Sequence, residues 1–511
     1  MRRQLIALVL GLALCLTGCA RTAPDAAASE EPELTAAPSA APVKKEFTLP
    51  YYPDASLHPI TGDNRVNLAL AGLVYQGLFE LDNTFTPSGV LCAGSSVSGD
   101  GLTWTFTLKK TLFSDGTALT AADAAASLNL ARTSTLYAAR LAQVRSVAAP
   151  EDDTVVITLS RPNGALPALL DIPIVREAKE GGIPLGTGPY AFAGGEDDLR
   201  LVRQNSAPAT ARSTIPLKPI TGADELIYAF DAGEISLVST DLTGANALGY
   251  APGYEAFEFP TTNMLFVGFQ TAGGPCKDPL VRQAISRAFD RDSVAASLLA
   301  GHAESAALPF SPRSSLYGAG HEEAGAYSPS AAAELLEQAG YTAGEDGLLY
   351  RGRSALELTF AVNTDNPLKV SVAEYLAGQL TALGMSVTLQ KLPWDDYVAA
   401  LERGNFDLFL GEAGLTADFD LAPFLEKKGA LNYGGYGNQE MDTLLLQFQA
   451  ADATQRPQAA ANLLNLFQTE VPFAPLCFKS HTVLTRWGSV FNLAPTRQNP
   501  FYDLENLRFG A

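Results

Sequence analysis

The chain has 511 residues, of which 47% are hydrophobic and 18% are charged, and its net charge is −20. This length predicts two or three structural units at roughly 100–200 residues each, and the composition is typical of a globular protein with a large core. The acidity argues against nucleic acid as a partner, because neutralising phosphates requires clustered Lys and Arg.

The N-terminus is predicted to be a targeting segment. Residues 1–3 are basic, and residues 5–16 form an apolar stretch too short to span a membrane as a free helix. Residues 16–19 (LTGC) resemble the bacterial lipobox, although an ordinary secretory signal with a chance cysteine is the alternative. We expect residues 1–18 to be a lipoprotein signal peptide and Cys19 to carry the acyl chains of a membrane anchor. Residues 19–46, rich in Ala, Pro and Glu, predict a disordered linker.

The region after the linker alternates predicted strands and helices. Residues 65–75 indicate a helix, and residues 104–108 and 154–159 alternate as strands do. Residues 186–191 match GxGxxA, but Pro189 leads into extended chain, so a dinucleotide-binding loop is rejected. Strand-like chain returns at residues 263–269 and 473–484.

Residues 356–410 predict two successive β-α-β units. Strands are expected at 356–362, 385–392 and 406–410, with helices at 370–383 and 394–402. Such units imply parallel strands joined by right-handed crossovers. In open α/β sheets, ligands bind beyond the carboxyl ends of the strands.

The segment in that position is residues 411–423 (GEAGLTADFDLAP), named here the acidic segment. It holds Glu412, Asp418 and Asp420. We predict that it lines a binding cleft, although a carboxylate cluster in a loop also occurs as a solvated turn.

Several motifs together carry a resemblance to a known family. They are residues 77–79, 100–108, 113–123, 186–190, 278–284, 290–291 and 432–442. Together they resemble the family 5 extracellular solute-binding proteins, which are the oligopeptide- and dipeptide-binding components of ABC importers. The resemblance extends over about residues 60–480.

This resemblance implies an α/β, two-lobed periplasmic-binding-protein-like fold with a hinge of two crossing strands and an extra subdomain in lobe I. Lobe I would comprise residues 47–260, with its subdomain at about 66–180. Lobe II would comprise residues 261–480, and residues 481–511 would return to lobe I. The implied function is capture of peptides outside the cell and their delivery to a membrane permease, by a monomer without enzymatic activity, metal or cofactor.

The resemblance also implies a set of ligand-binding residues. In peptide-binding members, a Gly-Trp-x-x-Asp loop follows a strand, and its Asp pairs with the α-amino group of the peptide. Asp418 stands at that position, after Gly414, whereas Leu415 replaces the Trp and Glu412 stands where some members have a basic residue. We expect further polar contacts to the ligand from the Gly-rich loop at residues 432–442 (NYGGYGNQEMD); its candidate residues are Asn432, Tyr433 and Tyr436.

Other functions remain open. The same fold could bind a metal chelate, haem, an opine or an oligosaccharide, or could act as a sensor. A secreted lipoprotein hydrolase is disfavoured, because His321-Glu322 lacks the second His of HExxH, Gly325 occupying that position. The cysteines Cys92, Cys276 and Cys477 are far apart and lack CxxC spacing, so at most one disulfide and no zinc site are expected.

Overall fold

The computed structural model describes residues 46–178, 182–195, 198–318, 321 and 325–510. The predicted signal peptide, the predicted lipidation site Cys19 and residues 19–45 of the predicted linker lie outside these ranges. Within them, no helix is long and apolar enough to cross a membrane. Cys92, Cys276 and Cys477 are all buried and unpaired.

The N-terminal part of the described chain contains two four-stranded sheets. The first is mixed, with one parallel pair, and its strands in spatial order are Leu49–Tyr51, Thr214–Pro219, Arg200–Arg203 and Tyr190–Ala193. The second is antiparallel, with the strands Cys92–Val97, Thr103–Leu108, Thr154–Leu159 and Val144–Glu151. The helices of this part are Arg65–Ala69, Ala71–Val74, Ala121–Ala131 and Ala223–Asp231.

The largest sheet of the described chain is built around two long antiparallel strands. We call Tyr254–Phe269 the first crossing strand and Phe473–Arg486 the second crossing strand. Their pairing is irregular between Pro260 and Met264. The other strands of the sheet are Leu237–Thr240, Ala303–Ser305, Glu357–Asn363, Ser386–Leu392 and Leu408–Gly414.

The predicted β-α-β units are confirmed. Glu357–Asn363 pairs in parallel with Ser386–Leu392 on one side and with Leu408–Gly414 on the other. The connecting helices are Pro367–Ala382 and Trp394–Glu402. The first helix begins three residues earlier than expected, because Asn366 caps it by accepting a hydrogen bond from the Leu368 amide at 2.9 Å.

One boundary of the prediction is wrong. The third strand continues to Gly414, because residues 408–414 pair with residues 263–269 of the first crossing strand. The first four residues of the acidic segment are therefore strand rather than loop. The remaining helices of this part are Pro279–Arg287, Arg291–Ser293, Pro329–Gln338, Ala422–Leu425, Gln439–Ala450 and Arg456–Glu470.

The apolar cores separate along the two crossing strands. One core combines side chains from residues 47–217 with Phe259, Val483 and residues 490–507. Two others cover opposite faces of the largest sheet. Leu265 and Val267 face one of these cores, and Met264 and Phe266 face the other, as the alternation of a strand requires. The change of core therefore falls within the first crossing strand, between Phe259 and Met264.

Candidate functional site

A cavity of about 950 Å³, the cleft cavity, lies at the carboxyl ends of the parallel strands. Its wall combines residues from 52–66 and 226–250, which precede the first crossing strand, with residues from 363–433, which follow it. Both crossing strands contribute to it, with Asn263 and Phe266 from the first and Lys479 and His481 from the second. Its volume is in the range of small-molecule binding sites.

A chain of alternating charges runs along the wall of the cleft cavity. Lys479 Nζ lies 3.0 Å from Glu412 Oε1 and 3.1 Å from Asp241 Oδ2. Glu412 Oε2 also lies 2.7 Å from Lys369 Nζ, and Asp241 Oδ2 lies 3.6 Å from His481 Nε2. The Lys479 side chain is only 4% exposed, so its charge depends on these two carboxylates.

The charge chain keeps both carboxylates ionised. Burial alone would raise the pKa of the Glu412 carboxyl, but the ammonium groups of Lys369 and Lys479 outweigh burial and hold the pKa below its usual value. Burial would also raise the pKa of the Asp241 carboxyl, but the nearby His481 ring, at 3.6 Å, and the charge of Lys479 hold this pKa well below its usual range.

Three of the residues singled out from the sequence line the cleft cavity: Glu412, Gly414 and Tyr433. A Cβ atom on Gly414 would lie 2.9 Å from Asn263 Oδ1, so a side chain there would crowd the first crossing strand. The Tyr433 ring packs edge-on against Phe409, with 5.9 Å between ring centroids.

Three others lie away from the wall of this cavity. Leu415 and Tyr436 are buried in an apolar core. The Asn432 amide donates to the carbonyl oxygens of Glu426 and Tyr436 at 2.9 and 2.8 Å, and its oxygen accepts from the Tyr436 amide at 2.8 Å. These contacts give Asn432 a role in holding the Gly-rich loop in shape.

Asp418 borders a separate pocket of about 280 Å³. Its side chain is buried, and Asn163 Nδ2 donates to Oδ2 at 2.8 Å while the Thr416 hydroxyl donates to Oδ1. The neighbouring Asp420 accepts from Gln449 at 2.6 Å and pairs with Arg161 at 3.2 Å. Burial, followed by the charge of Asp418, raises the pKa of the Asp420 carboxyl.

The cleft cavity is also lined by five residues that were not predicted from the sequence: Asp241, Asn363, Lys369, Lys479 and His481. The Asn363 amide nitrogen is buried without a hydrogen-bond partner among the described residues. Two signals were present. Asn363 ends the first parallel strand and Lys369 lies in the first turn of the helix that follows it. Lys479 and His481 come directly after the apolar run at residues 473–478.

Comparisons with a family model and with individual proteins agree with each other. The family model for bacterial extracellular solute-binding proteins, family 5 Middle, matches residues 86–431, more than half of the chain. The glutathione-binding protein GsiB of Salmonella choleraesuis is 26% identical over 459 residues, covering 82% of this chain and 86% of that protein.

Solved structures show the same fold. A nickel ABC transporter protein from Bacillus halodurans superposes with a TM-score of 0.74 at 20% identity, over 89% of this chain and 98% of that one. The oligopeptide-binding protein AppA from Bacillus subtilis, solved with a nonapeptide, gives a TM-score of 0.59 at 20% identity, over 91% and 99%. The predicted α/β two-lobed binding-protein fold is confirmed by these similarities.

Proposed function

The chain belongs to the bacterial extracellular solute-binding proteins of family 5, and from this premise we propose that it captures peptides outside the cell and delivers them to an ABC permease. The observation that carries the proposal is the cleft cavity of about 950 Å³. Its wall combines residues that precede the first crossing strand in the chain with residues that follow it. Its paired ammonium and carboxylate groups suit a ligand that carries both charges, as a free peptide does. The glutathione-binding relative, whose named ligand is a tripeptide, adds support.

The proposed ligand residues are Glu412, Gly414 and Tyr433 in the cleft cavity and Asp418 in the separate pocket of about 280 Å³. Asp418 would pair with the α-amino group of the ligand, because an ammonium enclosed away from water requires a carboxylate partner. In this proposal the amine replaces the hydrogen bond that Asn163 now donates to Asp418.

Capture would occur by closure of two lobes. We assign residues 47–260 and 481–511 to lobe I and residues 261–480 to lobe II. The irregular pairing near Pro260 supports a hinge in the crossing strands. A ligand that contacts both lobes favours the closed form by the difference of its affinities for the two forms.

The place of action follows from the N-terminus. Processing after residue 18 and acylation of Cys19 would hold the folded part outside the membrane through the linker, next to the permease. Metabolic labelling with a palmitate analogue tests this part. The wild-type chain should incorporate the label and Cys19→Ala should not, whereas equal labelling would refute the anchor.

Two measurements test the ligand class. Mass spectrometry of compounds released from the denatured purified protein should identify peptides. Thermal denaturation should then show stabilisation by those peptides, of about 2.7 kcal/mol at 100 times the dissociation constant. Release of a metal chelate or sugar, without stabilisation by any peptide, would overturn the peptide proposal and leave the solute-binding family assignment intact.

A further inference from the structure

A second cavity of about 780 Å³, the C-terminal cavity, adjoins the cleft cavity. The two cavities share Arg65, Ser239 and His481 in their walls. The two cavities therefore border one another at these three residues. The wall of the second cavity is completed by Arg140, Asp171 and residues 496–505.

The turn at residues 496–499 is held rigidly at both ends. The Thr496 amide donates to the Asn499 carbonyl at 3.0 Å, and the Asn499 amide donates to the Thr496 hydroxyl at 3.3 Å. The Asn499 side chain accepts from the Phe501 amide at 2.9 Å. The two residues at the tip of this turn, Arg497 and Gln498, line the C-terminal cavity.

The tip carries polar groups that have no partner. Arg497 Nη1 and both polar atoms of the Gln498 amide are buried without hydrogen bonds among the described residues. Arg497 also forms no ion pair with any residue that the structure describes. Buried polar groups are ordinarily satisfied, and one that is not marks a position where a partner is absent.

The charges around Arg497 favour an anion. Arg140 pairs with Oδ1 of Asp171, and the charge of Asp171 also acts on Arg497, so two guanidinium groups share one buried carboxylate. Burial lowers the pKa of Arg497 to about 10, and the charge of Arg140 acts in the same direction, whereas the charge of Asp171 opposes it. Glu80, Asp503 and Glu505 also line the cavity, but none of them pairs with Arg497.

We propose that Arg497 and Gln498, together with Arg140, form an anion subsite that binds a carboxylate of the captured solute. A guanidinium fork matches the two oxygens of a carboxylate, and an amide N–H can donate a further hydrogen bond. This inference rests on the proposed function, since it names one chemical group of the ligand. A peptide would place its C-terminal or an acidic side-chain carboxylate here.

The first test uses a small anion and does not depend on peptide binding. Succinate, compared with chloride at equal ionic strength, should raise the thermal midpoint of the full mature chain. Arg497→Gln should abolish this rise. The matched control is Arg508→Gln, which removes an exposed arginine of the same C-terminal region and should keep it. No rise in the wild-type chain, or an equal rise in Arg497→Gln, would overturn the subsite.

The second test compares tri-alanine with tri-alanine amide by calorimetry. Arg497→Gln should weaken binding of the free acid about 10- to 100-fold and leave the amide unchanged. If Arg497→Gln misfolds, Arg497→Lys and Gln498→Leu serve instead, each with a smaller selective loss. Equal losses for the two peptides would overturn the subsite. If the wild-type chain binds neither peptide, the peptide proposal fails for this probe, and the succinate result still decides the subsite.

Discussion

The Lys479 ammonium lies 3.0 Å from the Glu412 carboxylate, and this ion pair connects the second crossing strand with the beginning of the acidic segment. Lys479 also pairs with Asp241 at 3.1 Å, so one buried cation is held by carboxylates from sequence-distant parts of the chain. Because an uncompensated buried charge is costly, the network stabilises one arrangement of the two crossing strands and their neighbours.

Glu412→Gln should destabilise the protein markedly. The substitution leaves Lys479 with a single carboxylate and Lys369 with none, and removal of one partner from a buried ion pair costs about 3 kcal/mol or more. Urea denaturation monitored by circular dichroism measures the loss. The matched control is Glu374→Gln, which breaks an exposed pair with Lys391 and should cost about 0.5 kcal/mol or less. Similar losses for both variants would contradict the structural role of Glu412.

The same carboxylates should make stability fall in acid. The pKa values of Glu412 and Asp241 lie below those of the unfolded chain, so in acid the unfolded state binds more protons. Their contribution is present above about pH 5 and is lost as the pH falls through the folded-state pKa values.

The measurement is the free energy of unfolding between pH 7 and pH 3, which should fall less steeply in Glu412→Gln than in the wild-type chain. Burial raises the pKa values of Asp407 and Asp420, which gives a dependence of opposite sign. That contribution is the same in both proteins and cancels in the comparison. Identical slopes would show that Glu412 is not ionised against the two lysines.

Strands and helices could be predicted where they depend on short-range sequence patterns. Alternation and helix caps placed the three parallel strands and the helix Trp394–Glu402. The helix Arg456–Glu470 was missed, although Pro457 near its start is a typical signal. The strand ending at Gly414 was cut short, because its last residues are fixed by pairing with the first crossing strand rather than by their own pattern.

The site was harder to predict because it depends on distant contacts. Glu412 was identified, but its partners Lys369 and Lys479 come from other elements, and Lys479 and Asp241 are 238 positions apart. No local pattern reports such a pairing. Leu415, in contrast, was predicted to bind the ligand but is part of the apolar core. It lies in the acidic segment, but its amide donates to Thr262 at 2.9 Å and its side chain packs into the core.

Gly164→Ala should weaken ligand binding by opposing closure. The Gly164 amide donates to the Gln449 carbonyl at 2.8 Å, and a Cβ atom there would lie 2.0 Å from the Ala451 carbonyl oxygen. The backbone of Ala451 cannot shift easily to make room for the methyl group. We therefore expect Gly164→Ala to destabilise the form of the protein in which these segments touch by about 1–3 kcal/mol. Small-angle scattering with ligand should show a larger radius of gyration than for the wild-type chain.

The matched control for Gly164 is Gly94→Ala. A Cβ atom on Gly94 would have no neighbour within 4 Å, so binding and compaction should be unchanged. A Gly164→Ala protein that compacts as fully as the wild-type chain would show that the contact with Ala451 is not part of closure.

Asp418→Asn should discriminate between peptides with free and blocked N-termini. The substitution keeps the shape of the side chain but removes the charge that an ammonium requires, so tri-alanine should lose about tenfold or more in affinity, and N-acetylated tri-alanine much less. Calorimetry with both ligands measures the difference. Asp420→Asn is the control, because Asp420 is held by Gln449 and Arg161 and should affect both ligands equally. Equal losses in Asp418→Asn would assign this carboxylate to its contacts with Asn163 and Thr416 alone.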